Sequence, residues 1–432
     1  MNRYVLALDL GASSGRAMLA AYDGEKIRLR EVHRFSNDPV AKDGRLYWNV
    51  PQLMRAIAQG MPAAYDIAPY DRIAIDTWGV DYGLLKADGT LLELPRHYRD
   101  SRTSGILKKA EESITAADLY ARTGTQVMEI NTLFQLICDQ ESGRLDDCEV
   151  MLPMPDLFAY LLTGTVSTER SIASTTQMVS AKTGTWDEEL LSLFHIPHRI
   201  LPEIVESGTD KGTLSPAVQQ RLGLPAIRVA AVCGHDTQCA AFAAPAKTER
   251  HIFLSCGTWS LFGTELEQPV LTEQAAALAL SNEVGYGKKV TLLKNIIGLW
   301  LLQESRREYA RQGENYSFAE IETMARQCHE PSCYIDPDDP VFTPPGNIPQ
   351  GVARDYPLYK VRGFILDVGR KTFTMDWLED TVKQMSWYKM NDFQIHLNDN
   401  LIPLEHYSQI GEDPMQAYSA FRLESDIKEG GK

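Results

Sequence analysis

A strand-then-turn pattern, present near the start of the chain and again past its middle, constrains the fold more than any other feature. Residues 4–8 (YVLAL) form a short apolar run that enters Asp9-Leu10-Gly11-Ala12-Ser13-Ser14-Gly15-Arg16. Residues 251–255 (HIFLS) form another, entering Cys256-Gly257-Thr258-Trp259-Ser260. A short apolar run closed by small and hydroxyl residues reads as a buried strand ending in a tight turn, whose backbone N–H groups are open to a ligand. Two further runs behave alike: 72–76 (RIAID) leads into Thr77-Trp78-Gly79, and 227–233 (IRVAAVC) into Gly234-His235-Asp236. The recurrence predicts an α/β protein of two related lobes facing a cleft.

Between these runs the chain reads as ordinary α/β alternation. Residues 17–22 and 26–34 are predicted strands joined at Asp23-Gly24, a strong hairpin signal, and a helix with proline in its first turn is predicted over 51–61. The plan breaks after Asp336, where DPDDPVFTPPGNIPQ reads as a loop or linker. Beyond it a strand over 363–368, an amphipathic helix over 375–389 and a strand over 392–397 make one βαβ unit, which cannot bury both of its faces alone.

Charge and composition exclude several classes of function. With 43 basic against 58 acidic residues the formal net charge is -15, which argues against a nucleic-acid partner. A small anion such as ATP remains compatible, because local N–H groups and one metal ion override the global field. No run of about eighteen apolar residues occurs, so no membrane partner is expected. The seven cysteines are odd in number and scattered, which fits a reducing cytoplasm better than a disulfide framework. Cys328, His329 and Cys333 lie close together but have no second ligand cluster, and read as surface residues rather than a zinc site.

Four constellations can carry chemistry. Asp9 before the turn 11–15 suits a phosphate cradle with a carboxylate beside it for Mg²⁺; a plain hairpin turn is the competing reading. Asp76-Thr77-Trp78-Gly79-Val80-Asp81 offers acceptors and an aromatic wall to a polyhydroxylated ligand, though a tryptophan capping the core would look the same. Asp236, at a strand end opposite the phosphate turn, can accept a hydroxyl proton during phosphoryl transfer, or can cap the helix that follows. The turn 255–260 can approach the γ-phosphate from the other lobe.

Taken together, DLGASSGR, DTWGVD, YRDSR, GHDTQ, SCGTWS and LKNIIGLWLLQ closely resemble, in order and spacing, the rhamnulokinase branch of the FGGY family of carbohydrate kinases. The likeness runs from the N-terminus to about Pro349. It implies an actin-like fold of two ribonuclease-H-like lobes, with ATP and sugar in the cleft between them. It assigns 1–245 to the N-terminal lobe and 246–350 to part of the C-terminal lobe. It further implies that Ala12, Ser13, Ser14, Gly15 and Arg16 line the phosphates, that Asp9 places Mg²⁺, and that Thr258 and Gln303 face ATP. Gly79, His235, Asp236, Thr237 and Asn295 would contact the sugar, with Asp236 accepting the proton of its primary hydroxyl. The substrate expected on this ground is L-rhamnulose, an L-fuculose-type ketose being the alternative. The resemblance assigns no oligomeric state.

The likeness then changes. Such kinases continue past the position of Gln350 with helices and a Gly-Gly-Gly turn that holds adenine, whereas the late glycine pair here is Gly430-Gly431, so a truncated second lobe is expected. Residues 351–432 resemble instead the start of the catalytic barrel of β-N-acetylhexosaminidases. That resemblance places Arg362, Asp367, Arg370 and His396 at sugar-facing positions but supplies no adjacent Asp-Glu pair for hydrolysis. The readings that compete with a working sugar kinase are therefore a glycosidase fragment and a fusion without activity.

Overall fold

Strand β1 (Arg3–Leu10) shows why the first sheet forms where it does. Leu6, Leu8 and Leu10 are fully buried, while Asp9 and its alternate neighbours face the other side, as the two-residue period of a pleated strand requires. A computed structural model describes residues 3–246, 248 and 250–327, with the backbone of 363–367 and 392–396. Strand β2 (Ser14–Tyr22) returns antiparallel to β1, with Asp9 opposite Arg16, and β3 (Ile27–Ser36) continues the meander. The Asp23-Gly24 turn is made as expected: the Asp23 carboxylate accepts the N–H groups of Glu25 and Lys26, and Gly24 sits at φ +109°.

Helix α1 (Val50–Ile67) is longer than the sequence suggested, with Asn49 as its N-cap and proline in its first turn. Its buried stripe of Leu53, Ile57, Met61 and Ala64 packs on the sheet. At Gly60 the helix comes so close that a Cβ there would lie 2.8 Å from the Cβ of Ala17 on β2. Gly60→Val is therefore expected to lower stability by about 1–3 kcal/mol through overpacking, read as a lower urea midpoint. An unchanged midpoint would show that helix and sheet can separate at no cost.

Strand β4 (Arg72–Thr77) pairs parallel to β1, β5 (Asp210–Thr213) forms the edge, and β6 (Arg228–Ala230) pairs parallel to β4. The six-stranded order is β5-β6-β4-β1-β2-β3. Helix α2 (Met154–Thr163) covers this sheet with Leu157, Phe158 and Leu162.

A second sheet follows, with β7 (Phe253–Cys256), β8 (Trp259–Leu266), β9 (Leu280–Val284) and β10 (Val290–Ile297). It is wholly antiparallel in the order β7-β8-β10-β9. The resemblance between the two sheets is concrete at their turns: Gly11 N–H donates to Ser14 O at 2.9 Å, and Gly257 N–H to Trp259 O at 2.9 Å. Only the strand–turn–strand recurs among the described residues. Leu254 and Phe262 are register partners on β7 and β8 and are 55% and 47% exposed, so one face of this sheet lacks an apolar cover among those residues.

These elements, up to residue 318, form one compact unit; residues 319–327 and the strands beyond 350 belong to a second. In the second, β11 (Gly363–Asp367) and β12 (Asp392–His396) pair parallel, with Asp367 opposite His396. That is the strand half of the expected βαβ unit. The helix predicted over 375–389, Arg362, Arg370, the linker, the Cys328–His329–Cys333 group and the Gly430-Gly431 pair lie outside the described residues.

Candidate active site

Parallel pairing of β1 and β4 sets Asp9 and Asp76 side by side at strand ends. Thr77 N–H then donates to Gly234 O at 2.9 Å, and Thr77 bridges His235. This brings Asp236, the first residue of α3 (Asp236–Ala243), to the same sheet end. Three carboxylates thus meet because three chain segments run parallel and finish in register.

They line a cavity of about 650 Å³, the right size for a sugar with part of a nucleotide. Asp9, Ala12, Ser13, Ser14 and Arg16 form one wall, and Gly79, His235, Asp236, Thr237 and Asn295 another. Thr258 enters from the second sheet, its hydroxyl 3.4 Å from that of Ser13, so the two turns face each other across the opening.

Two residues expected at the site are not in this wall. Gly15 pairs with Leu10, and a Cβ there would fall 2.3 Å from the Phe35 ring, so its small size serves packing rather than phosphate approach. Gln303 lies in the first turn of α4 (Trp300–Arg311), away from the cavity lining. Asp81 also turns inward. It accepts the indole N–H groups of Trp48 at 2.5 Å and Trp78 at 3.0 Å, together with the Gln135 amide. Burial holds its carboxyl up at about 6 against those donors.

The electrostatics follow from crowding. Burial, then the charges of Asp9 and Asp236, push the Asp76 carboxyl well above the usual range, against the pull of Arg16 and His235. Burial also raises Asp236, opposed first by His235. Arg16 pairs with Asp9 at 2.7 Å. The possibility that Asp236 serves only as a cap is not what the geometry presents: His235 is the N-cap residue, and the Asp236 carboxylate accepts from its neighbour Thr237, the N–H at 2.7 Å and the hydroxyl at 3.4 Å on the same oxygen, leaving a side chain 35% exposed to the cavity.

The oxygen-rich donor set suits a hard divalent cation. Among the described residues no three acidic, histidine or cysteine side chains converge to hold a metal by themselves. Mg²⁺ takes one or two carboxylates and completes its shell with water and phosphate oxygens, so Asp9 beside the turn 11–14 is the carboxylate that would hold it.

Several site residues carry no motif. Gln126 accepts the Asn295 amide at 3.1 Å and so orients it, and Thr175 approaches Gly79 so closely that a Cβ there would meet both its hydroxyl and the His235 ring at 3.3 Å. Glu283 accepts from His235. A signal for Glu283 existed: Ser281, Asn282 and Glu283 are consecutive polar residues in a strand, where one face at least must be buried.

Residues 4–243 match the N-terminal domain of the FGGY family of carbohydrate kinases, and residues 252–353 its C-terminal domain. Residues 359–413 match the catalytic domain of glycosyl hydrolase family 20, so the change of family inferred near Gln350 is present. The chain is 39% identical over 359 residues to the rhamnulokinase of Bacteroides thetaiotaomicron, covering 82% of this chain and 73% of the relative. It is 38% identical over 349 residues to that of Lactiplantibacillus plantarum, covering 81% and 70%. Among solved structures, a ligand-bound xylulose kinase from Lactobacillus acidophilus superposes with a TM-score of 0.64 at 18% identity, over 75% of this chain and 66% of that one. A gluconate kinase from the same organism gives 0.63 at 18%, over 71% and 62%. The chain therefore spans just under two thirds of the length of these solved kinases.

Proposed function

The chain belongs to the FGGY family of carbohydrate kinases, with the actin-like two-domain fold of that family, and from this membership we propose that it binds L-rhamnulose and ATP and phosphorylates the sugar's primary hydroxyl. The observation that carries the proposal is the convergence of Asp236, the turn 11–14 and Thr258 on one cavity. In this reading residues 1–245 supply the sugar side and the first phosphate turn, 246–350 the second turn, and 351–432 a segment of different ancestry. The five free cysteines among the described residues suit a reducing cytoplasm. No helix among those residues is long and apolar enough to cross a membrane.

The sugar lies against Gly79, His235, Thr237 and Asn295. Its primary hydroxyl faces Asp236, and the triphosphate lies along Ala12, Ser13 and Ser14 with Thr258 opposite. The hydroxyl oxygen forms a bond to the γ-phosphorus, the bond from that phosphorus to the bridging oxygen breaks, ADP departs, and the hydroxyl proton passes to an Asp236 carboxylate oxygen. A base of modest strength suffices, because the proton is lost late in a loose transition state. Asp9 would hold Mg²⁺, which when bound offsets charge on the phosphate oxygens. Gly15 acts by packing, and Gln303 is assigned to the nucleotide side by family position alone.

A second reading is favoured by one observation: the match to the family's C-terminal domain gives way at residue 353 to another family that begins at 359. In that reading the chain retains ketose binding and does not turn over. ADP release measured with L-rhamnulose, L-fuculose and no sugar, beside calorimetry with each ketose, decides among these. L-rhamnulose-dependent release supports the kinase; L-rhamnulose binding without release supports the second reading; preference for L-fuculose overturns the substrate.

A further inference from the structure

We propose that Glu283, on β9 of the second sheet, is a positioning residue that fixes the His235 imidazole as a cation beside Asp236. The inference rests on the reading of Asp236 as proton acceptor and adds to it a group from the other sheet. One carboxylate oxygen, Glu283 Oε2, receives two hydrogen bonds, from His235 Nδ1 at 2.9 Å and from Gln238 Nε2 at 2.9 Å. Gln238 is fixed in turn, its Oε1 accepting the Thr291 hydroxyl of β10 at 2.7 Å. Glu283, Gln238 and Thr291 are 4%, 1% and 0% exposed, so water does not substitute for these partners. A carboxylate can only accept, so His235 Nδ1 carries hydrogen and the ring orientation is set.

The other ring edge does the work. His235 Nε2 lies 3.5 Å from Asp236 Oδ1 and borders the space left by the missing Cβ of Gly79. The charged and titratable groups facing this ring come from every neighbouring element: Asp236 on its own helix, Glu283 on β9, Asp76 on β4, and Cys233 on the approach to the turn. Asp9 and Arg16 act on the same acidic set from β1 and β2, and Glu169 lies behind Gly234. Burial disfavours a charged ring, but Glu283, then Asp236 and Asp76, outweigh it and raise His235 to about 9. At neutral pH the ring is then an imidazolium that carries hydrogen on both nitrogens, Nδ1 donating to Glu283 and Nε2 facing Asp236 as an ion pair. Its charge is the largest pull against the burial that raises the Asp236 carboxyl.

Strand β9 is itself fixed to the first sheet's side of the cavity. Asn282 N–H donates to Gly124 O at 2.8 Å, and Val284 N–H to Ser174 Oγ at 3.0 Å, on either side of Glu283. Registration of β9 therefore decides where Glu283 stands, which ties the charge at the base to correct docking of the second sheet.

The test is histidine side-chain NMR on the full chain, parent against Glu283→Gln, with the His235 resonance assigned by His235→Gln. The parent is expected to titrate near 9 and the variant at or below about 6.5, the ordinary imidazole value. In the ADP-release assay the parent should lose kcat only as pH rises through 9, because the charged form is needed. The variant should lose it from about 6.5, so at pH 7.5 its kcat is expected to be about tenfold lower, one unit past the titration. A folded variant whose His235 titrates as in the parent overturns the proposal, whatever the turnover. Should the variant not fold, the parent decides: a His235 midpoint below 7 overturns it and one above 8 supports it. A parent that shows the shifted titration but no L-rhamnulose-dependent turnover at any pH overturns the kinase reading and leaves the Glu283–His235 coupling standing.

Discussion

Asp236→Asn is expected to cut L-rhamnulose-dependent ADP release by roughly 10²- to 10⁴-fold, the usual contribution of a positioned general base, while leaving L-rhamnulose binding within a few-fold of the parent. The substitution keeps shape and removes the ability to take a proton. Asparagine can still accept the Thr237 N–H that the aspartate accepts at 2.7 Å, so the head of α3 should hold its form. The surrounding charges sharpen the expectation. Asp9 and Asp76 stand in register beside the site, so losing one negative charge relieves repulsion and should slightly favour a neutral sugar's binding. Loss of turnover with retained binding is thus the signature of the base. Equal turnover by parent and variant removes Asp236 from that role, and loss of both binding and turnover assigns it to sugar recognition instead.

How much of this was legible in the sequence depends on which interactions are local. Strand–turn boundaries were, because YVLAL into DLGASSG and RIAID into TWG each combine an apolar run with residues that only a turn accommodates. The gathering of Asp9, Asp76 and Asp236 was legible as three strand ends, but not as neighbours. That depends on the parallel order of β4 and β1 and on the Thr77–Gly234 hydrogen bond, which no local pattern encodes. The packing role of Gly15 was hidden for the same reason: in the turn it resembles a phosphate-approach glycine, and only the position of Phe35 on β3 shows that it makes room for a ring. Asp81 was read together with Asp76 because they share a motif. The chain reverses between them and turns Asp81 onto Trp48, which lies far upstream in sequence. Gln126 acts from a segment without any motif, and the polar run 281–283 marks Glu283 as buried without saying against what, so the fold alone places both at the site.

The same separation of local from tertiary information makes Glu169 the most sensitive structural position to test. Glu169 is 2% exposed and touches no cavity wall, yet it organises the approach to Asp236. Its Oε2 accepts Gly234 N–H at 2.8 Å, Ser171 N–H at 2.8 Å, Ser171 Oγ at 2.6 Å and Ile172 N–H at 3.3 Å, and its Oε1 accepts the Ser207 hydroxyl at 2.6 Å. Ser171 Oγ in turn accepts His235 N–H at 3.2 Å, so this carboxylate, together with Thr77 on the other side, holds the turn that leads from Gly234 to Asp236. Nearby, Lys211 Nζ lies 2.5 Å from Asp156, whose oxygens accept Glu169 N–H at 3.2 and 3.3 Å. Glu169→Ala leaves several buried donors without a partner, and hydrogen bonds to charged groups are worth about 1.5–3 kcal/mol each. Water entering the vacated space would recover part of that, so the expected loss of stability is about 3–5 kcal/mol, at the upper end for a single substitution. Glu169→Gln keeps one accepting oxygen and gains an amide that cannot accept, so it should lose about half as much. Both are read as urea midpoints of the full chain, with L-rhamnulose binding measured below the transition. The Gln variant, if folded, should bind the sugar more weakly, because the His235 backbone is no longer fixed. A midpoint for Glu169→Ala within error of the parent would mean that the turn is held by its own chain geometry, and that the carboxylate merely occupies a polar pocket.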